Sequence, residues 1–439
     1  MSTAASAGVR TFPRVGVKAT RKATIIAFFA WLFAVYDYIL FGTLLPEIGG
    51  YFGWSDSTAS LVSTLVSVGT AVVALAVGPI ADRIGRRRGM ILTVSGTAVA
   101  SALSAATPGA GYLVGVRAFG GLGLSEQAVN ATYLNEIYAV TEDEKIKKRR
   151  GLIYSLVQGG WPLGVLLAAA FVAIFLPLVG WRGCFLLAVF PAVVIALVRR
   201  GLKESPQFEL ELKLRKLRKA GKANEAAALA REYGVDDQPS APLASIFKGA
   251  ALRNTLVLGF AWLINWFGIQ VFSVLGTTVL TSGKGVSFTG SLVMLIVINA
   301  IGYLGYVFHG WVGDKFGRRN VIAIGWLISG VLFALTLTVA SGTIAVVTLY
   351  SLGMFFLIGP YAALLFYMGE CYETRCRATG TAFLNALSQP GAILAGVITT
   401  AMLASGATWN SAALLVGAAG TFVSGLVMFA ARKVKTLEA

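Results

Sequence analysis

Three ionisable side chains stand inside long apolar runs of this 439-residue sequence: Asp37, Arg117 and Glu126. A charge placed in hydrocarbon costs several kcal/mol, so each must face a partner or a water-filled cavity. An acid and a guanidinium held together can exchange a proton for a partner. Ionised Asp37 pairs with Arg117; protonated Asp37 releases Arg117, which can then grip the carboxylate of an organic anion with two donors. Burial favours the neutral acid and the guanidinium favours the ionised one, so a change of conformation can tip the balance. Glu126 is a second candidate proton carrier. The plainer alternative is a structural salt bridge. His309 is the single histidine, which excludes histidine-based metal sites and triads, and Cys184, Cys371 and Cys376 show neither disulfide nor metal spacing. No nucleophile–base or metal cluster appears, so no enzyme and no cofactor is expected.

The elements that must position these groups are read from composition. The chain is 56% hydrophobic and 13% charged, too apolar to cover the surface of a soluble domain. Apolar runs long enough to cross about 30 Å of hydrocarbon fall near 24–45, 59–80, 89–107, 110–135, 151–176, 181–199, 253–280, 287–309, 320–340, 343–367, 379–402 and 408–431. Helix is the conformation that satisfies backbone polar groups over such runs. The expected fold is therefore an all-α integral membrane protein of twelve transmembrane helices. The first run lacks a small-residue cleavage site and reads as a retained helix, not a signal peptide. Asp37 lies about two-thirds through the first span and Arg117 in the outer half of the fourth, at compatible depths. Glu126 follows Arg117 by about two and a half turns toward the inside.

The charges orient the spans. With both termini on one side, 34 of the 37 Lys and Arg residues fall on that side, leaving Arg117, Arg182 and Lys284. The positive-inside rule makes that side cytoplasmic and gives a multi-pass protein of the plasma membrane. The net charge of +17 is thereby explained by orientation and by anionic headgroups, and no nucleic-acid partner is implied.

The two halves echo each other. Gly78-Pro-Ile-Ala-Asp82-Arg-Ile-Gly85-Arg86-Arg87 recurs as Gly310-Trp-Val-Gly-Asp314-Lys-Phe-Gly317-Arg318-Arg319, 232 residues later, and Asn135-Glu136-Ile-Tyr138 recurs as Gly369-Glu370-Cys-Tyr372. The expected organisation is a tail (1–23), a six-helix bundle (24–199), a partly helical linker (200–252), a second six-helix bundle (253–431) and a short tail (432–439), with a site between two pseudo-symmetric bundles. Leu210, Leu212, Leu214 and Leu217 lie among the linker's charges and suggest a surface helix or helices, broken within 234–242.

The repeated Asp82…Gly85-Arg86-Arg87 and Asp314…Gly317-Arg318-Arg319 resemble the loop signature of the major facilitator superfamily. Glu136 with Arg149-Arg150-Gly151, Glu370 with Arg375 and Arg377, and Lys203-Glu204-Ser205-Pro206 resemble its further motifs, although Lys203 and Glu373 stand where prolines are usual. The resemblance implies a cytoplasmic gating network of Asp82, Arg86, Glu136, Arg150, Asp314, Arg318, Glu370, Arg375 and Arg377 that stabilises the outward-open state. Within the superfamily, Tyr36-Asp37-Tyr38…Phe41-Gly42-Thr43…Pro46 and Arg117…Gly120…Gly123…Glu126 resemble organic-acid:proton symporters. These include the metabolite, aromatic-acid and sialate/lactate groups. Ala34 replaces the second Asp usual in the aromatic-acid group, which weighs against that group. The resemblance implies proton-driven symport of a small organic carboxylate by alternating access, for which a monomer suffices.

Other polar positions are candidates to line the cavity: Tyr38, Gln158, Trp161, Asn265, Gln270, Asn299, Tyr303, Tyr361, Asn385 and Gln389. Interhelical hydrogen bonding is the equal alternative for most of them. Pro162, Pro360 and Pro390 mark expected breaks in helices 5, 10 and 11. His309, at the inner end of helix 8, reads as a headgroup-facing residue. A sugar or polyol porter is the nearest rival, but Asn265-Trp266-Phe267-Gly268-Ile-Gln270 lacks the paired glutamines of that group. A drug exporter lacks its usual glycine-rich proline motif in helix 5, and a transporter-like receptor would carry long tails. Sodium coupling stays open beside proton coupling.

Overall fold

A computed structural model describes residues 12–148, 150–234, 243–372 and 374–434. Arg149, Glu373, the break within 235–242 and the outer parts of both tails lie outside the described residues. So do the side chains of Asp82, Arg150, Arg375 and Arg377. Among the described residues the chain is helical, with one isolated backbone bridge, Val15 to Thr141.

The first half contains α1 (Val17–Phe52), α2 (Asp56–Ile84), α3 (Arg86–Ala105), α4 (Ala110–Ala118) and α5 (Gly121–Ala139). It continues through α6 (Glu144–Lys148), α7 (Arg150–Gln158) and α8 (Gly160–Arg199). The linker forms α9 (Pro206–Lys219) and α10 (Ala223–Glu232). The second half begins with α11 (Gly249–Gly268), a π-helical turn at Ile269–Val274 and α12 (Gly276–Thr278). It goes on with α13 (Phe288–Phe316), α14 (Arg318–Thr338), α15 (Thr343–Ile358), α16 (Tyr361–Glu370), α17 (Thr374–Ala386) and α18 (Ser388–Ala404). It closes with α19 (Trp409–Ala412), a further π-helical turn at Ala413–Ala418 and α20 (Ala419–Met428).

Nine helical stretches among the described residues are long and apolar enough to cross a membrane. One of them, Ile153–Arg199, is 47 residues long, roughly 70 Å at 1.5 Å per residue and thus more than two hydrocarbon thicknesses. Gly180 splits it: its φ of 66° is a left-handed value that interrupts α8. The expected spans near 89–107 and 110–135 are helical but not among the nine. The first is rich in Ser, Thr and Gly. The second is interrupted at Phe119–Gly120, where Gly120 and Leu122 donate to carbonyls three residues back, so that Arg117 lies in the last turn of α4.

The surface is apolar where lipid would lie. Leu75, Leu178, Phe190 and Ile344 are each more than 70% exposed, whereas Asp37, Arg117, Glu126 and Arg199 are buried. That inversion of the soluble pattern suits a bilayer. The central helix is α1, which packs against α5 and α8 of its own half and meets the second half at α12. The linker helices make a small core of their own, with Leu210 and Leu214 of α9 against Ala226 and Ala230 of α10, and Phe12 packed on it.

Candidate functional site

Asp37 and Arg117 meet. Arg117 Nη2 donates to Asp37 Oδ2 at 3.3 Å and to the Asp37 backbone carbonyl at 2.8 Å. A third group joins them. Ser101 of α3, fully buried, donates its hydroxyl to Asp37 Oδ1 and accepts from Arg117 Nη1 at 3.3 Å. The guanidinium lies over the Phe41 and Phe185 rings, 5.9 and 5.5 Å from their centroids, which screens it further from lipid. The cluster ties α1, α3 and α4 to one another.

Glu126 has a partner that the charge count had assigned to a loop. Arg199, at the end of α8, is fully buried and grips both Glu126 oxygens, Nη1 reaching Oε2 at 2.8 Å and Nη2 reaching Oε1. Thr93 donates to Oε2 at 2.6 Å. Arg199 also donates to the Met90 carbonyl at 2.9 Å and to Asn130 Oδ1 at 3.2 Å. Arg199 is therefore a further buried charged group beside the three read from sequence. Its neighbours Ala192 and Ile195 are buried on the same helical face, which is the spacing that marks it as inward-facing. Sequence reading also missed Ser101 and Thr93. They belong to a hydroxyl stripe, Thr93, Thr97, Ser101 and Ser104, at helical spacing along α3 and buried throughout.

A narrow cavity lies between the two halves of the chain. Its walls come from Trp31 of α1, Leu124 and Gln127 of α5, Gln158 of α7 and Trp161 of α8. Opposite them stand Trp262 and Trp266 of α11, Ile269, Tyr306 of α13, Tyr361 and Leu364 of α16, Asn385 and Ser388. Helix breaks build much of this wall. Pro162 sits in the first turn of α8, Pro360 just before α16 and Pro390 in the first turn of α18, where a missing N–H leaves no ladder bond broken. The wall residues Gln158, Trp161, Tyr361, Asn385 and Ser388 flank those starts.

The cavity is aromatic and carries amide and hydroxyl groups. Gln127 donates to Gln158 at 2.7 Å, Gln158 donates to the Tyr154 hydroxyl at 2.6 Å, and Tyr361 donates to Asn265 Oδ1 at 2.5 Å. The indole N–H groups of Trp262 and Trp266 have no hydrogen-bond partner. The cavity lies in the half of the molecule nearer the basic loops. Beyond it the two halves close: Trp161 donates to Ser273 at 3.2 Å, Gln270 to Ser63 at 3.5 Å, and the Ser60 and Thr400 hydroxyls meet at 2.8 Å.

Of the expected cavity residues, Gln158, Trp161, Tyr361 and Asn385 line it. Asn265 stands behind Tyr361, and Tyr38 packs 6.3 Å from the Trp161 ring. Gln270 belongs to the closed region, and Tyr303 packs against Gly159. Asn299 donates to the Leu295 carbonyl, and Gln389 is buried without a hydrogen-bond partner; neither lines the cavity. Arg117 is likewise absent from the cavity wall, because its donors are turned to Asp37 and Ser101. His309 corrects another expectation. It is 2% exposed, bonds to the Gly305 carbonyl at 2.8 Å and packs among Phe308, Phe355 and Phe356, so it does not face headgroups.

The profile of the Major Facilitator Superfamily matches residues 27–309. The chain belongs to that superfamily. It is similar to the gentisate transporter of Corynebacterium glutamicum, 26% identical over 92% of this chain and 86% of that one. It is similar to the gallate transporter of Pseudomonas putida, 27% identical over 87% and 85%. The 4-hydroxybenzoate transporter PcaK of Pseudomonas aeruginosa is 27% identical over 85% and 84%. The protein is thus a multi-pass membrane transporter of the superfamily and not an enzyme.

The superfamily's repeated loop takes the same turn in both halves, with φ of 107° at Gly85 and 87° at Gly317, values that favour glycine. After Gly85, Arg86 pairs with Glu136 at 3.3 Å and lies over the Phe208 ring. Glu136 also accepts from the Ser205 hydroxyl, and Glu204 accepts from the Arg87 backbone N–H at 3.2 Å. After Gly317, Arg318 pairs with Asp314 at 2.9 Å and with Glu370. Each of these contacts stays within one half or between a half and the linker. Burial pushes the Glu136 carboxyl up from its ordinary range, against the opposing pull of the Ser205 hydroxyl and the Arg86 guanidinium.

Proposed function

We propose that this transporter is a proton-coupled symporter of a small aromatic carboxylate, working by alternating access between two six-helix halves with both termini in the cytoplasm. The observation that carries the proposal is the buried Asp37–Arg117 pair, whose Asp37 lies on the same helix that supplies Trp31 to the cavity. Six residues separate Trp31 from Asp37, about 9 Å along α1. A proton arriving at Asp37 weakens the tie of α1 to α4, and α1 carries that change to the cavity wall. The names of the relatives, gentisate, gallate and 4-hydroxybenzoate, all denote ring carboxylates. A cavity walled by Trp31, Trp161, Trp262, Trp266 and Tyr361 suits a planar ring, and unpaired indole N–H groups suit its oxygens. Ala34, which weighs against the aromatic-acid group, leaves Asp37 as the buried acid of helix 1. With the basic loops cytoplasmic, the closed contacts lie on the outer side of the cavity, while Ser155, which donates to the Ala362 carbonyl at 3.2 Å, also joins the halves beside it.

Uptake into proteoliposomes tests this reading. The panel is labelled gentisate, gallate, 4-hydroxybenzoate, an aliphatic dicarboxylate and a hexose, under an inward proton gradient, for wild type and Asp37→Asn. Gradient-driven uptake of a ring carboxylate, lost in the variant while counterflow exchange persists, is the expected result. Hexose uptake alone, or anion uptake indifferent to both the gradient and Asp37, rejects it.

A further inference from the structure

Two members of the hydroxyl stripe of α3 reach buried carboxylates. Thr93 lies within hydrogen-bond distance of both Glu126 Oε2, at 2.6 Å, and the Met90 carbonyl, at 2.9 Å. Thr97 and Ser104 each donate to a backbone carbonyl one turn back, at 2.9 and 2.7 Å. That is the usual refuge of a hydroxyl on a membrane helix, and it is open to Ser101 at the Thr97 carbonyl. Ser101 instead donates to Asp37 Oδ1 and accepts from Arg117 Nη1. A serine hydroxyl has one hydrogen and two lone pairs, so one lone pair remains.

We infer that Ser101 is the positioning residue of the proton site, holding the Asp37 carboxylate against Arg117 when it is ionised and accepting from it when it is protonated. The inference rests on the symport reading above. The exchange balances without another group. In the ionised state the Ser101 hydrogen points to Asp37 Oδ1. When a proton binds that oxygen, the new O–H donates to Ser101 Oγ, and the serine hydrogen turns to the Thr97 carbonyl. Arg117 Nη1 keeps its bond to Oγ throughout, so Ser101 keeps α3 and α4 in register while the ionic tie of α1 to Arg117 is weakened. Arg117 of α4 and Tyr36 of α1 are the charged and titratable groups that interact with Asp37; Cys184 of α8 lies beside Tyr36, and Tyr38 lies beside Arg117.

The test compares wild type with Ser101→Ala, Ser101→Cys and Ser101→Thr. Two readouts are taken: the pH profile of uptake of the ring carboxylate that wild type accepts, and the infrared carboxyl band that titrates in wild type and is absent in Asp37→Asn. Ser101→Ala loses a bond to each protonation state, and the charge-assisted bond to the ionised form is the stronger, so protonation becomes easier on balance. The midpoint of both readouts should therefore rise by about one to two pH units in Ser101→Ala. It should rise less in Ser101→Cys, whose thiol is a weak donor, and stay near wild type in Ser101→Thr. Midpoints unchanged in the Ala and Cys variants, or moved equally in the Thr variant, overturn the inference and leave symport standing. Should the Ala variant not fold, the Cys and Thr variants decide it. A wild type with no Asp37-dependent carboxyl titration and no gradient-driven uptake overturns both readings together.

Discussion

Two ion pairs are buried in the first half of this transporter, and they are built differently. Glu126 is held on both oxygens by Arg199, with Thr93 added, and Arg199 has further acceptors in Met90 and Asn130. Asp37 meets Arg117 through one oxygen at 3.3 Å, and its other oxygen is held by Ser101. A bidentate pair with saturated surroundings resists opening. A one-oxygen pair steadied by a rotatable hydroxyl can be opened by a proton. Burial and charge are alike in the two, so under the proposed symport mechanism the number and kind of contacts is what separates a structural tie from a switch.

The largest effect that tests this contrast is on stability. Removing one member of a buried pair strands the other charge, at a cost of about 3–5 kcal/mol. Arg199→Met should lower the melting temperature of the purified protein sharply, and adding Glu126→Gln to it should restore most of the loss, with proton-driven uptake retained. A stable double variant that has lost gradient coupling makes Glu126 a proton carrier and removes the distinction. Next comes Asp37→Asn, whose amide oxygen can still accept from Arg117; it should lower the melting temperature less than Arg199→Met and lose gradient-driven uptake to the level of empty liposomes. A large fall in melting temperature with coupling retained reverses the assignment of the two pairs.

A smaller effect belongs to the cavity. Trp266→Phe keeps a ring and removes an unpaired N–H. If a substrate oxygen takes that hydrogen bond, the KM for a ring carboxylate should rise about two- to tenfold with Vmax little changed. The uncharged carboxamide of the same acid should respond less. Equal losses for acid and amide assign Trp266 to ring packing alone.

Much of this was legible in sequence, because a bilayer punishes local choices that water forgives. Asp37 and Arg117 stand out in apolar runs at matching depths, and the structure brings them together. Arg199 was hidden because it adjoins Arg200 in a basic stretch, where count cannot tell a loop arginine from one turned inward; the buried Ala192–Ile195–Arg199 face can. Ser101 was hidden because an uncharged hydroxyl costs little in a helix, and only its place in a stripe marks it. Trp262 and Trp266 lie four apart on α11, but tryptophan at that spacing is as common in a core as in a cavity. His309 at a helix end read as facing headgroups, because a sequence does not show the aromatic rings of α15 that enclose it.

The smallest effect contrasts the membrane pairs with the loop pair Arg86–Glu136, just beyond the span near 110–135. Burial raises the Glu136 carboxyl above its ordinary value of 4.5, so between that value and the raised one the folded protein holds a proton that the unfolded chain has released. Its contribution is complete below about pH 4.5 and is lost as pH rises through the raised value. Stability should therefore fall with rising pH across this window, and Glu136→Gln, which cannot titrate, should flatten that part of the profile. Melting temperature against pH in detergent measures it. An unchanged slope in Glu136→Gln means that Ser205 and Arg86 hold Glu136 ionised throughout. The loop pair would then resemble Glu126–Arg199, a fixed tie, more than the pair at Asp37.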